Sequence, residues 1–573
     1  HALTLETETT DLSINSPLDL NQSGSQLITK AADLVLPYPL QLNSGTLTST
    51  GGTLTLAQGG TLGNSATLDV RGTTLELANS FAAEADSLQT DDATVLKLLD
   101  NTTLSFNGQK LFKALEHNSR TLTLGTADTH LELIDPLILS AMALHTQEGS
   151  LSLQGALTLD NGSLLDSTSG TLTLGGTADN LSRIALPGTT LVLQDDLSIS
   201  GTLTTGAGTV FQHNGFALNL SGGTLELGGD LNLSGTVTDN ATRLRLLTDV
   251  SLESQGTTSL GDLDFNGFAL TVSMPTLSIS EPLSLETSGE RLVAGQSNVH
   301  LSEHLSLDAG ELSSTGGTVT LAAPASLGDS GVLDIQGGTL ELTESLNVGD
   351  GTLNTSGATV LLLDNTTLSS NNSLSVGTLE LDGNSLSLAS ASTDLTIENA
   401  LTLDNGSILH TGGADLTLVA AVDVQGALHS SGGTLAFQEG GVVTGILSAD
   451  NSTLALTKAN LTVTGLLQTN GGTTLTGSDL LKLSGGTLEV AESLTLDEVT
   501  TDEATTLRLS ADTTLVRDSP FTVGRVELDN HTLTLGSNTT DLTVDHPLPT
   551  EGNTSGGINV GAAALTFTGT LDL

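Results

Sequence analysis

A chain of 573 residues with a formal charge of −50, from 65 Asp and Glu against 15 Lys and Arg, cannot build the basic face that nucleic acid requires, and an anionic membrane surface repels it. Cysteine is absent, which excludes a disulfide framework and thiolate metal sites, and no apolar run approaches the length of a transmembrane helix. Aromatics are 2% of residues against 37% hydrophobic, so the expected core is narrow and lined with Leu and Val.

The chain starts at His1 and not Met, and is read as processed or as an excerpt of something longer. From there almost every segment has the form x-Leu-x-Leu bounded by Gly, Asn, Asp or Ser: Thr53–Leu56, Thr74–Leu77, Thr121–Leu124 and Thr171–Leu174 are examples. Period-2 alternation puts Leu on one face of a strand and Thr, Ser or Glu on the other. A turn signal arrives roughly every 7–9 residues. The nearest approach to a helical stripe, Leu96–Leu115 with Lys97, Lys110 and Lys113, is read as strand because its duplicate at Leu361–Leu381 is plainly strand.

The stretch Ala93–Leu104 (ATVLKLLDNTTL) returns at Ala358–Leu368 (ATVLLLDNTTL), with echoes at Thr242–Leu252 and Thr505–Leu515. Thr94 and Thr359 stand 265 residues apart, and Thr242 and Thr505 stand 263 apart. The strings beginning at Asp11, Thr276 and Asp541 repeat at steps of 265, and His1–Leu12 resembles His531–Leu542. One echo, Leu157–Ser163 at Leu401–Ser407, falls about one coil short, as expected where neighbouring coils also resemble each other. A long duplication of a short strand pattern is the signature of a solenoid. The expected architecture is all-β: a right-handed parallel β-helix over 1–573 as one continuous solenoid. Super-repeats run over about 11–275 and 276–540, and a third opens at 541–573. With three strands in a coil of ~21–24 residues there are roughly 25 coils, about 120 Å in length.

Two kinds of punctuation support coils over hairpins, although Asn161-Gly162 and Asn405-Gly406 are hairpin-type dipeptides. The GGT turns (Gly51-Gly52, Gly222-Gly223, Gly316-Gly317, Gly337-Gly338, Gly432-Gly433 and Gly485-Gly486, each followed by Thr) supply positive-φ corners. The x-Pro-Leu marks at Pro17, Pro136, Pro282 and Pro547 belong at corners or strand starts, because proline cannot donate to a ladder. Neither end carries a polar or helical cap, and Ala564–Leu573 still reads as strand, so further copies of the chain or further repeats are expected to continue the stack.

In its GGTLTL-like strands, Thr/Asn/Asp/Gly turns, lack of Cys and acidic charge, the chain resembles the passenger β-helices of secreted bacterial surface proteins, autotransporters and filamentous-haemagglutinin-type adhesins. The resemblance implies an extracellular, cell-surface location and a role in surface structure or adhesion. No translocator barrel and no Arg-Gly-Asp tripeptide is present in the sequence.

Chemistry-bearing residues are few. Asp100, Asp160, Asp364, Asp404 and Asp529 each precede Asn. Asp-Asn is ordinary turn chemistry, and stacked carboxylates also allow weakly bound Ca²⁺. The glycine-rich Asp nonapeptide of calcium-binding β-rolls is missing, so no cofactor and no specific metal site is assigned. A pectin-cleaving β-helix needs clustered acids beside a basic residue in a carbohydrate groove. Here the nine Arg (Arg71, Arg120, Arg183, Arg243, Arg245, Arg291, Arg508, Arg517 and Arg525) are scattered, and Arg508 duplicates Arg245, which points to charge balance and not to catalysis. No catalytic residue is assigned and the chain is not read as an enzyme. The eleven His show no metal spacing; His300 and His304 are close, but their duplicates are not His. Phe265 and Phe268 are expected to fill corners. The Thr-rich faces are similar to those of ice-binding solenoids, but no Thr-x-Thr column is sustained. The expected function is the shaft of a surface filament, with copies stacked end to end. An adhesin stalk binding glycans or proteins, and a polysaccharide-active enzyme, are the alternatives.

Overall fold

Alternating Leu and Thr favours a strand with one dry and one wet face, and Thr, being β-branched, suits the wet side of a pleated surface. The computed structural model describes the chain apart from residues 6, 8, 9, 85, 161, 177, 181, 477–480, 498, 547–555 and 570–573, and apart from the side chains of 178–180. The Asn161 turn residue, the Pro547-Leu548 mark, the last four residues of Ala564–Leu573 and residues 6, 8 and 9 of His1–Leu12 therefore lie outside the described residues. The fold is an all-β parallel solenoid of about 27 turns, coils about 20 residues apart, with no helix among the described residues. The expected coil of 21–24 residues is slightly long. Corners are tight: only three residues separate Leu164–Ser167 from Thr171–Leu174.

By contacts the chain divides into two compact units, His1–Ser280 and Glu281–Leu573. In the first, coils such as Ala143–Gln147, Ser150–Leu153 and Leu157–Leu159 have three short strands, each pairing in parallel with its counterpart in the next coil, while the ten-residue strands Leu40–Ser49 and Gly60–Asp69 run on through a corner. Register places like on like. One inner column runs Leu122, Leu144, Leu165, Ile184, Leu203, Leu225, Leu244, Leu263, all buried. The second unit repeats the device with Leu386, Leu409, Leu428, Leu447, Leu467, Leu488, Leu507 and Val526. A parallel ladder buried along one side is stabilised by these columns at about 25 cal/mol per Å² of apolar area removed from water. Aromatics are rare but deeply placed: Phe81, Phe106, Phe112, Phe265 and Phe437 are the largest fully buried side chains. Phe81 lies beside Gly60 in the ladder, and a Cβ on Gly60 would run into Leu40 of the preceding coil. Phe265, directly after the strand Asp262–Asp264, is buried as a corner filler should be, whereas Phe268 is only half-buried.

The glycine pairs divide their labour. At Gly222-Gly223 the first residue has φ +73 with open space around its Cβ position, and the second is ordinary in φ but faces the Ile199 carbonyl of the preceding coil. Gly316-Gly317 departs from the expectation. Neither residue has positive φ; a Cβ on Gly317 would run into the Ser297 carbonyl, so Gly317 is there for closeness alone, while a Cβ on Gly316 would meet only the end of the Gln296 side chain. Pro136 and Pro282 each sit one residue before a strand, Leu137–Leu139 and Leu283–Leu285, as anticipated.

The duplicated stretches differ in a way the 265-residue count conceals. Leu98 and Leu362 both point inward, and Thr94 and Ala358 are the buried residues four positions earlier, while Thr359 is half-exposed. Ala93–Leu104 therefore carries one residue more than its duplicate, and the two match at the Asp-Asn end. In Leu362-Leu363 and Leu246-Leu247 the second Leu turns to solvent: Leu363 is 47% exposed and Leu247 39%.

Candidate functional site

The acidic residues concentrate at corners, where strands end and backbone N–H groups lack a ladder partner. The Asp-Asn turns work through the asparagine as much as the aspartate. The Asp100 carboxylate accepts the Asn101 N–H (2.8 Å), and the Asn101 side-chain oxygen accepts the Thr121 N–H of the next coil (2.9 Å). Asp364 and Asn365 do the same, with Ser385 as the later donor (2.7 and 2.9 Å). Elsewhere Asp takes the reaching role itself. Asp394 accepts the Asp415 N–H (2.9 Å), and Asp415 in turn accepts the Thr434 N–H (2.6 Å). Asp160 accepts the Ser140 hydroxyl (2.6 Å), and Asp529 has φ +43 at its turn. Among the described residues no group of three or more His, Asp or Glu is placed to hold a metal ion.

A stronger acidic corner was not singled out from the sequence. Asp91, Asp239 and Asp502 each stand three residues before a fully buried Thr: Thr94, Thr242 and Thr505. In the first, one Asp91 oxygen accepts from the Thr94 hydroxyl (2.8 Å), the Ala93 N–H (3.1 Å) and the Gly72 N–H of the preceding coil (2.9 Å). The Asp91 N–H donates to the Thr94 hydroxyl oxygen (3.1 Å), and that hydroxyl also approaches the Val70 carbonyl (3.1 Å). The other two repeat this, with Gly222 and Gly485 as the donors from the preceding coil. Burial works to raise these carboxyls, but the hydroxyl and N–H donors outweigh it and hold all three below the ordinary carboxylate value. The findable signal is the recurring string Asp-x-Ala-Thr at 91–94, 239–242 and 502–505.

Basic side chains are placed in register with acids. Arg245 lies between Glu226 and Asp264 in the ladder, and its Nε is 3.3 Å from Asp264. Its duplicate Arg508 lies between Glu489 and Glu527, at 3.5 and 2.8 Å. Charge balance at the duplicated Arg is what the geometry provides. Arg243 is on the same strand, opposite Thr224 and Asp262. Lys110 is an unforeseen case. It occupies an inner position opposite Leu131 and is only 9% exposed. Burial pushes its ammonium below the ordinary lysine value, against the pull of Asp86.

His300 and His304 are not brought together. His300 lies opposite Thr320, and the His304 ring is bonded to the Pro324 carbonyl (2.8 Å) and the Ser326 hydroxyl (3.3 Å). The topology instead joins His410 and His429, nineteen residues apart, as ladder neighbours with stacked rings. In the second unit an open groove of about 480 Å³ is lined by Leu361, Thr378, Leu379, Glu380, Leu381, Asp382, Ala400, Thr402 and Asp404. Three carboxylates and two hydroxyls face it, with no Arg, Lys or aromatic ring among the lining residues. No helix is long and apolar enough to cross a membrane among the described residues.

These corners and ladders define a parallel β-solenoid in which polar chemistry is spent mainly on joining one coil to the next. Compared with protein-family models, with curated proteins and with solved structures, the chain matches none.

Proposed function

We propose that this protein is a structural, extracellular β-solenoid that forms the shaft of a surface filament, each copy stacking on the next or on further repeats of a longer chain. The observation that supports this most is the in-register repetition of both unit cores, Leu122 to Leu263 and Leu386 to Val526, in which every rung presents the same pairing surface to the next. The corner aspartates and asparagines support it too, since their side chains bind coil to coil. The acidic, cysteine-free composition suits a surface protein that stays unfolded during export. Electron microscopy of the native material tests the reading. Fibres with an axial spacing of ~4.8 Å are expected; dispersed single molecules at every concentration and salt would refute it.

A second reading, an adhesin whose faces bind glycans or proteins, is favoured by the groove at Leu361–Asp404. Saturable binding of a neutral oligosaccharide that is lost in Asp382→Asn with Asp404→Asn would support it over a purely structural role.

A further inference from the structure

His410 lies on the strand Ile408–Gly412 and His429 on Ala427–Ser430, directly opposite each other in the parallel ladder. Their rings are 5.0 Å apart between centroids and 14° from parallel. The column they share continues to Ser387 on one side and Ser448 on the other, so no charged side chain stands in register next to them. His145, His531 and His546 lie within 4 Å of a carboxylate, whereas among the described residues His410 and His429 do not, so neither ring is held in an ion pair. Burial, and after it the neighbouring His410 ring, lowers the His429 value.

We propose that His410 and His429 form a bis-imidazole site for one borderline divalent transition metal, Zn²⁺ or Ni²⁺, on the outer surface of the second unit, with water completing the coordination. Neutral imidazole is the ligand such ions prefer over carboxylate, whereas Mg²⁺ and Ca²⁺ prefer oxygen. At metal–nitrogen distances of about 2.0–2.1 Å, two ligand nitrogens on a tetrahedral ion lie roughly 3.3 Å apart. Turning the rings out of the stack brings them there, and His410, which is exposed, has the room to turn. The ladder fixes the two backbones, so little beyond side-chain rotation is spent on assembling the pair. The sequence hides the site because a spacing of nineteen becomes adjacency only once coil length is known.

The test is calorimetric titration of Zn²⁺ into the full chain at pH 7.5 with millimolar Mg²⁺ present to occupy the carboxylates. The expected result is one Zn²⁺ per chain in a class that survives Mg²⁺. That class weakens at least tenfold in His410→Gln and in His429→Gln and is unchanged in His300→Gln, and Zn²⁺ shifts the imidazole resonances of residues 410 and 429 alone. Absence of a Mg²⁺-resistant class, or its persistence in either histidine variant, would overturn the proposal.

Discussion

Thr94→Val preserves the shape of a fully buried side chain and deletes one hydroxyl. That hydroxyl donates to a carboxylate at 2.8 Å and accepts the Asp91 N–H at 3.1 Å. A hydrogen bond to a charged group contributes about 1.5–3 kcal/mol when buried; Asp91 is half-exposed, so about 1 kcal/mol is appropriate. The Asp91 N–H left without a partner costs about 1 kcal/mol more, for a total near 2 kcal/mol. In a solenoid the loss is local, because each coil is held by its neighbours and not by one global core. Amide exchange around Gly72 and Asp91, read by mass spectrometry on the full chain, is therefore expected to accelerate roughly 30-fold, at 1.4 kcal/mol per decade. Thr242→Val and Thr505→Val should do the same at their own corners. Thr173→Val, on an outward strand position, should change exchange less than about threefold. If all four substitutions behave alike, the corner hydroxyl contributes nothing special and the reasoning is wrong.

Two glycines separate conformational from steric demand. Gly222→Asn should be nearly neutral and Gly222→Ala should cost about 1 kcal/mol, since only positive φ is at stake there; at Gly317 both Asn and Ala should cost about 1–3 kcal/mol through overpacking, as urea unfolding of each variant would show. The lowered carboxyls of Asp91, Asp239 and Asp502 give an acid dependence. Their folded values lie below the ordinary 3.8, so the unfolded chain binds more protons in that window; the contribution is complete above about pH 4 and is lost as pH falls through the folded values. Urea midpoints between pH 5 and 2.5 should therefore fall less steeply in the triple Asp→Asn variant, and an unchanged slope would count against the assignment.

Strand type and inner residues were legible because a period of two leaves little choice: Leu75 and Leu77, or Leu172 and Leu174, have only one dry side to occupy. The pattern becomes silent at Leu98-Leu99 and Leu362-Leu363, where two adjacent leucines compete and only the corner position decides which is inside. Turn chemistry at Asp100-Asn101 was readable from residue type. Its partner Thr121 was not, because coils vary in length and vertical neighbours cannot be counted off at a fixed interval. The same uncertainty hid the His410–His429 stack and the inward seat of Lys110, a residue that composition alone would put outside.

The charge spread along the coils has a consequence of its own. Fifty net negative charges over about 27 turns amount to about two per turn. With a rise of ~4.8 Å per turn within each unit, that is one charge every ~2.5 Å, against one every ~1.7 Å for double-stranded DNA. Each unit is thus a polyelectrolyte wrapped in its own cloud of condensed cations. The valence of those cations, more than any surface contact, sets how closely two such surfaces can lie side by side.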